Sequence, residues 1–344
     1  MKKKNILYLD VLRIIATFAV IAIHVVTLYW NDYDVSTYEW GAFNVFDSIS
    51  RWAVPIFCMI SGYLFLNNEK KISISSLFTK NIARMVITLL VWSVFYAFYN
   101  YDPEVLGTTE FIKKIFSGSY HTWYILLAAG FYACVPIFRR ITSSKSATQY
   151  FIALCIAITF ILPNLAQSPN LEWIQRNLSR AFLNLTLGYT PYFFIGYYLA
   201  KYDIPKLLKA LIYIVGPISF FVIIFGTLSY SQAAGEFDDR FYVYNSICVL
   251  FQSCFVFLFA KDFCKGIDLS PKAQKVFSTI SKHTFGVYLI HVFVIAELDR
   301  LFLINAVTVN PYIAIPAVMI ITYAISEIVS AILNFIPIVK KYIV

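Results

Sequence analysis

Asp10–His24 reads D-V-L-R-I-I-A-T-F-A-V-I-A-I-H. Arg13 and His24 are set in a run that stays apolar over 6–30, and a bilayer crossing takes ~20 apolar residues. The rest of the chain repeats this texture. Nine more apolar stretches, at 43–66, 82–99, 121–138, 150–165, 181–200, 210–229, 242–260, 284–299 and 312–336, bring the expected spans to ten in 344 residues. Composition agrees, with 60% hydrophobic and 14% charged residues. Soluble domains carry about 45–50% and about 25%. High hydrophobicity also excludes disorder. The expected fold is an all-α, polytopic integral membrane bundle of about ten transmembrane helices, multi-pass in the cell membrane. No stretch reads as a linker or a second soluble domain, so 1–344 is expected to be one transmembrane domain.

Lys and Arg outnumber Asp and Glu by 28 to 19, a net charge of +9. In a soluble chain that excess would favour nucleic acid. Here the basic residues fall in short loops, where they orient the spans, and no nucleic-acid partner is expected. With the N-terminus inside, the inner loops hold twenty of them, from Lys2–Lys4 and Lys70 through Lys80 and Arg84 to Lys340 and Lys341. The outer loops hold six: Lys113, Lys114, Arg176, Arg180, Arg240 and Arg300. Both termini are therefore expected in the cytoplasm. The six cysteines form no CxxC pair and read as reduced packing residues, without a disulfide framework or a metal site.

An ionisable residue inside the bilayer costs at least ~2.5–3.5 kcal/mol and marks a candidate functional site. Arg13 and His24 are separated by three turns plus ~20°, with a rise of ~16.5 Å, so they share a helix stripe at two depths. The structural alternative pairs Arg13 with Asp10 and leaves His24 in the core. Arg51, the second intramembrane arginine, lies ~12 Å from the outer end of its span and His24 ~9 Å from the end of its own, so both can share one level. Asp47, one turn before Arg51, is its local partner in the structural reading and a candidate substrate contact otherwise. Pro55 is expected to kink the second span. His121 and Trp123 open the fourth span at the outer face, as substrate contacts or as a solvated histidine and a belt tryptophan. His291 and Glu327 fall at similar depths in the last two spans and are a candidate polar pair, structural or catalytic. HExxH, GxSxG, P-loop and dinucleotide patterns are absent.

Arg13 and His24 make R-x10-H. Arg51–Tyr63 reads R-W-A-V-P-I-F-C-M-I-S-G-Y, followed in order by His121–Tyr124 (HTWY), Gly188–Gly196 (GYTPYFFIG) and Ser281–His291. In this joint pattern the chain resembles the acyltransferase 3 family of integral membrane O-acyltransferases over essentially its whole length. The resemblance implies transfer of an acyl group, usually acetyl from cytoplasmic acetyl-CoA, to a hydroxyl-bearing acceptor such as a cell-surface glycan. It implies His24 and Arg13 as the motif pair. It also implies a basic donor site at the start of the third span, where the family has R-x-x-R; here position 81 is Asn, and Lys80 with Arg84 forms the cationic mouth. The esterase-like or racemase domain of some members is not expected. His24 is then the general base, or the carrier of an acetyl-histidine intermediate, with Arg51 or a backbone donor stabilising the oxyanion. Intramembrane charges also fit a transporter or flippase for a polar solute or lipid-linked glycan, or a non-catalytic substrate-binding module. Nothing in the sequence sets the oligomeric state.

Overall fold

The apolar run that carries Arg13 and His24 forms one straight-through helix, α1 (Leu7–Thr27), buried along most of its length. The computed structural model describes residues 7–69, 71–100, 107–165 and 188–344, and within them every regular element is a helix. The second apolar stretch divides into α2 (Tyr38–Ser48) and α3 (Ala53–Leu66). It is followed by α4 (Ile74–Tyr99), the short α5 (Thr108–Ser117), α6 (Trp123–Ile141), α7 (Lys145–Leu165) and α8 (Thr190–Lys201). The chain continues with α9 (Lys206–Ala234), α10 (Ile247–Phe263), α11 (Pro271–Phe302), α12 (Pro311–Phe335) and α13 (Pro337–Tyr342).

Among the described residues, seven helical segments are long and apolar enough to cross a membrane: α1, Tyr38–Leu66, α4, α6, α7, α9 and α12. These match seven of the expected stretches. The eighth stretch gives the 17-residue α10, and the ninth is only the middle of the 32-residue α11. The sixth is described from its second half as α8; its positions 181–187, and the loop cations Lys2–Lys4, Lys70, Arg176 and Arg180, lie outside the described residues.

Local sequence sets these boundaries. Pro begins α11, α12 and α13, where a missing N–H costs nothing. Ser270 and Asn310 cap α11 and α12 by accepting from the N–H groups of Ala273 and Tyr312. Pro55 does not kink a continuous helix. The interruption is the turn at 49–52, and Pro55 sits in the first turn of α3, where no ladder hydrogen bond is lost. The Trp52 indole donates to the Ile49 carbonyl at 2.6 Å, satisfying an acceptor that the break releases.

α3 packs against α8, and α11 against α1 and α12. The α3–α8 crossing is close because it is built on glycine. A Cβ on Gly62 would overlap the Phe193 carbonyl, and one on Gly196 the Met59 backbone. Met59 and Phe193 are fully buried there. Gly196→Val should therefore destabilise the protein by about 3 kcal/mol or more. Thermal unfolding in detergent checks this, and a midpoint equal to the parent's would contradict the crossing.

Candidate active site

Three of the chain's four histidines meet at one place. His24 comes from the last turn of α1, His121 from the turn entering α6, and His291 from the middle of α11. Ring centroids are 5.0 Å apart for His24–His291, 5.6 Å for His121–His291 and 6.3 Å for His24–His121. Tyr120 packs edge-on to His24 at 5.3 Å, and Tyr96 to His121 at 4.9 Å. His121 and His291 are fully buried and His24 is half-buried. The His291 Nδ1–H donates to the Tyr288 carbonyl at 2.7 Å, and His121 Nδ1 lies 3.1 Å from Ser119 Oγ. One nitrogen on each ring, His24 Nδ1, His121 Nε2 and His291 Nε2, is sealed from solvent without a hydrogen-bond partner. Buried polar atoms in folded proteins are normally paired, so three such nitrogens on neighbouring rings make this cluster the candidate site. Among the described residues no group of His, Cys, Asp and Glu has metal-binding geometry.

Arg51 stands in the 49–52 turn between α2 and α3, within electrostatic range of His24. Its guanidinium pairs with Asp47 and lies under the Tyr242 ring, 4.0 Å from the centroid. Asp47 is buried behind it at 1% exposure. Its Oδ2 holds the guanidinium, as the local pairing with Arg51 requires, while its Oδ1 is buried without a hydrogen-bond partner. Arg51 also lines a cavity of about 520 Å³ walled by Tyr189, Tyr242 and Tyr244. Trp123 continues the wall, 5.3 Å from the Tyr189 ring, and is 38% exposed. Beside the cavity, hydrogen bonds from Arg240 hold the Asp238 carboxyl below its usual range, keeping that surface charged.

Eleven residues earlier on α1, Arg13 meets Asp10 at 3.5 Å and Ser281 Oγ of α11 at 3.4 Å, while Ser281 donates to Asp10 at 2.6 Å. The local Asp10–Arg13 pair of the structural alternative thus exists, enlarged into an α1–α11 network. Arg13 and Arg84 both lie within electrostatic range of the Tyr132 hydroxyl. Arg84 lies 5.6 Å from the Phe285 ring centroid and donates from Nη2 to the main-chain oxygen of Val344. Its Nε is buried without a partner. Lys80, one turn before, is exposed.

Tyrosines connect the two levels. Tyr132 and Tyr124 both lie within electrostatic range of Arg13. Tyr124 is 6.1 Å from Tyr288, and Tyr288 is 5.9 Å from His121 and donates to its carbonyl at 2.5 Å. Sequence reading missed these tyrosines. The signal was present in HTWY and in Tyr288, three residues before His291 on one helix face.

Glu327 belongs elsewhere. Its partner is His283, Nδ1 to Oε1 2.6 Å, which overturns the expected pairing with His291. α11 starts well before the apolar stretch, so His283 is also helical, ~12 Å along the axis from His291, and it is the residue level with Glu327.

A family model described as an acyltransferase domain, acyltransferase 3, matches residues 6–331. No curated protein and no solved structure matches the chain. The matched region takes in both arginines of the first two spans, all four histidines and the helices that carry them, and the chain belongs to the acyltransferase 3 family of membrane acyltransferases.

Proposed function

We propose that the protein transfers an acyl group, acetyl in the first instance, from cytoplasmic acyl-CoA to a hydroxyl of a glycan or similar acceptor on the outer face of the cell membrane. The observation that carries this reading is the pair of levels on α1. Arg13, with Arg84 nearby, stands ~16.5 Å along the helix from His24, and a tyrosine series joins the two. The span count in this reading is ten, with both termini cytoplasmic, as the loop cations favour. A reporter fused after Lys341 should then read cytoplasmic; an external signal would reverse the direction of transfer.

Donor recognition falls to Lys80 and Arg84. The unpartnered Arg84 Nε and the exposed Lys80 are donors suited to CoA phosphates. The pantetheine arm carries the thioester past Arg13 toward His24. His24 Nε2 takes the proton from the acceptor hydroxyl as its oxygen attacks the thioester carbonyl. Arg51 faces the developing oxyanion. The C–S bond breaks, and the thiolate leaves with the proton that His24 held. Trp123 and the tyrosine wall beside Arg51 offer apolar faces to a sugar ring.

The test is acetyl-CoA itself. Purified protein in nanodiscs should bind it and slowly release CoA. The Lys80→Ala/Arg84→Ala variant should bind about tenfold or more weakly, and raised salt should weaken parental binding in the same direction. Absence of any CoA binding by the folded parent would defeat the proposal in favour of a carrier, which should be indifferent to CoA. Undiminished affinity in the double variant would move the donor site away from α4.

A further inference from the structure

We infer that His291 is a positioning residue for His24: its Nε2 accepts the His24 Nδ1–H and fixes the tautomer in which His24 Nε2 is the free base. The role of His24 in transfer rests on the function proposed above, whereas the hydrogen bond between the rings does not. The tautomer of His291 follows from its partner. A carbonyl only accepts, so the contact to the Tyr288 carbonyl at 2.7 Å puts the hydrogen on His291 Nδ1. The neutral ring then has a lone pair on Nε2, and that atom is buried with nothing to accept from. On His24 the sealed and unpartnered atom is Nδ1; Nε2 is not among the sealed atoms. One ring thus needs a donor and the other has a buried nitrogen that requires a partner. Their centroids are 5.0 Å apart, close enough for an N–H···N hydrogen bond once the His24 ring turns its Nδ1 toward His291 Nε2, with His291 held in place by the Tyr288 carbonyl.

His121 is the weaker alternative. Its ring is 6.3 Å from His24, and its Nδ1 faces the Ser119 hydroxyl, which can donate or accept and so fixes no tautomer. The arrangement also balances the proton. It moves from the acceptor hydroxyl to His24 Nε2 and on to the departing thiolate. The hydrogen on Nδ1 stays in place throughout, held by His291. Without that acceptor, His24 would populate the tautomer with Nε2 protonated, which cannot serve as the base.

Ring-15N histidine NMR in lipid nanodiscs tests this, because the chain has only four histidines and single variants assign them. The parent should show His24 with the hydrogen on Nδ1 and a bare Nε2. His291→Leu should mix the His24 tautomers and lower kcat by at least about 10²-fold, given that a wrong tautomer in a hydrolase triad costs ~10⁴. KM for donor and acceptor should hardly change, because no substrate contact is removed. His291→Gln, whose side-chain oxygen takes the place of Nε2, should restore the tautomer and most of kcat. A loss through packing would not be rescued this way. A parental His24 with hydrogen on Nε2 overturns the inference, as does a folded His291→Leu with unchanged His24 tautomer and kcat. If His291→Leu does not fold, the parental spectrum and His291→Gln still decide. A parent with the expected tautomer that transfers no acyl group would remove the proposed function and leave the hydrogen bond standing.

Discussion

His24→Ala is expected to lower acyl transfer by about 10²–10⁴-fold, the usual contribution of a positioned acid–base group. CoA binding and thermal midpoint should stay close to the parent's. The asymmetry follows from the position of the side chain. His24 is half-buried, its Nδ1 is unpartnered, and none of its contacts is a salt bridge, so truncation removes a proton acceptor and ring contacts to His291, Tyr120 and His121. Arg13 and Arg84 lie at the other level and are untouched. Single-turnover transfer from labelled acetyl-CoA, together with equilibrium CoA binding on the same preparation, separates chemistry from donor docking. A folded His24→Ala protein that transfers at the parental rate would remove His24 as the base.

The sequence exposes some of this site and hides the rest for a physical reason. Arg13 and His24 were legible because eleven residues bring an α-helix back to one stripe, and Arg51–Asp47 because four residues span one turn. Both are local: the first lies within α1, and the second joins the end of α2 to the turn that follows it. Convergence of His24 with His121 and His291 depends on how α1, α11 and the entry to α6 pack. In a membrane bundle that packing leaves little trace in the hydrophobic pattern, because lipid-facing and core-facing surfaces are both apolar. Depth counting failed at Glu327 for a related reason. An apolar stretch marks where lipid begins and says nothing of how far the helix continues, so the helical His283 was passed over in favour of His291. Gly62 and Gly196 also carry meaning only as a pair across the α3–α8 crossing.

Arg51→Lys is the second large effect, and it discriminates better than removal of the charge. Asp47 is buried, and Arg51 is its hydrogen-bond partner through both Nε and Nη2. Arg51→Ala would leave that carboxylate unpaired, at a cost of about 3–5 kcal/mol, and would report folding more than catalysis. Lysine keeps the positive charge beside Asp47 and most of the stability. It loses the planar fork, which pairs with Asp47 on one edge, lies 4.0 Å from the Tyr242 centroid, and has remaining donors for the acyl oxygen. If those donors stabilise the oxyanion, kcat should fall by about 10²-fold, the cost of deleting one such donor, with KM for CoA unchanged. Combining Arg51→Lys with His24→Ala adds a further constraint. Groups that serve one transition state are not additive, so the double variant should transfer little more slowly than His24→Ala alone. Multiplicative losses would mean that Arg51 and His24 act in separate steps, and a folded Arg51→Lys enzyme with parental kcat would mean that the guanidinium only closes the cavity wall.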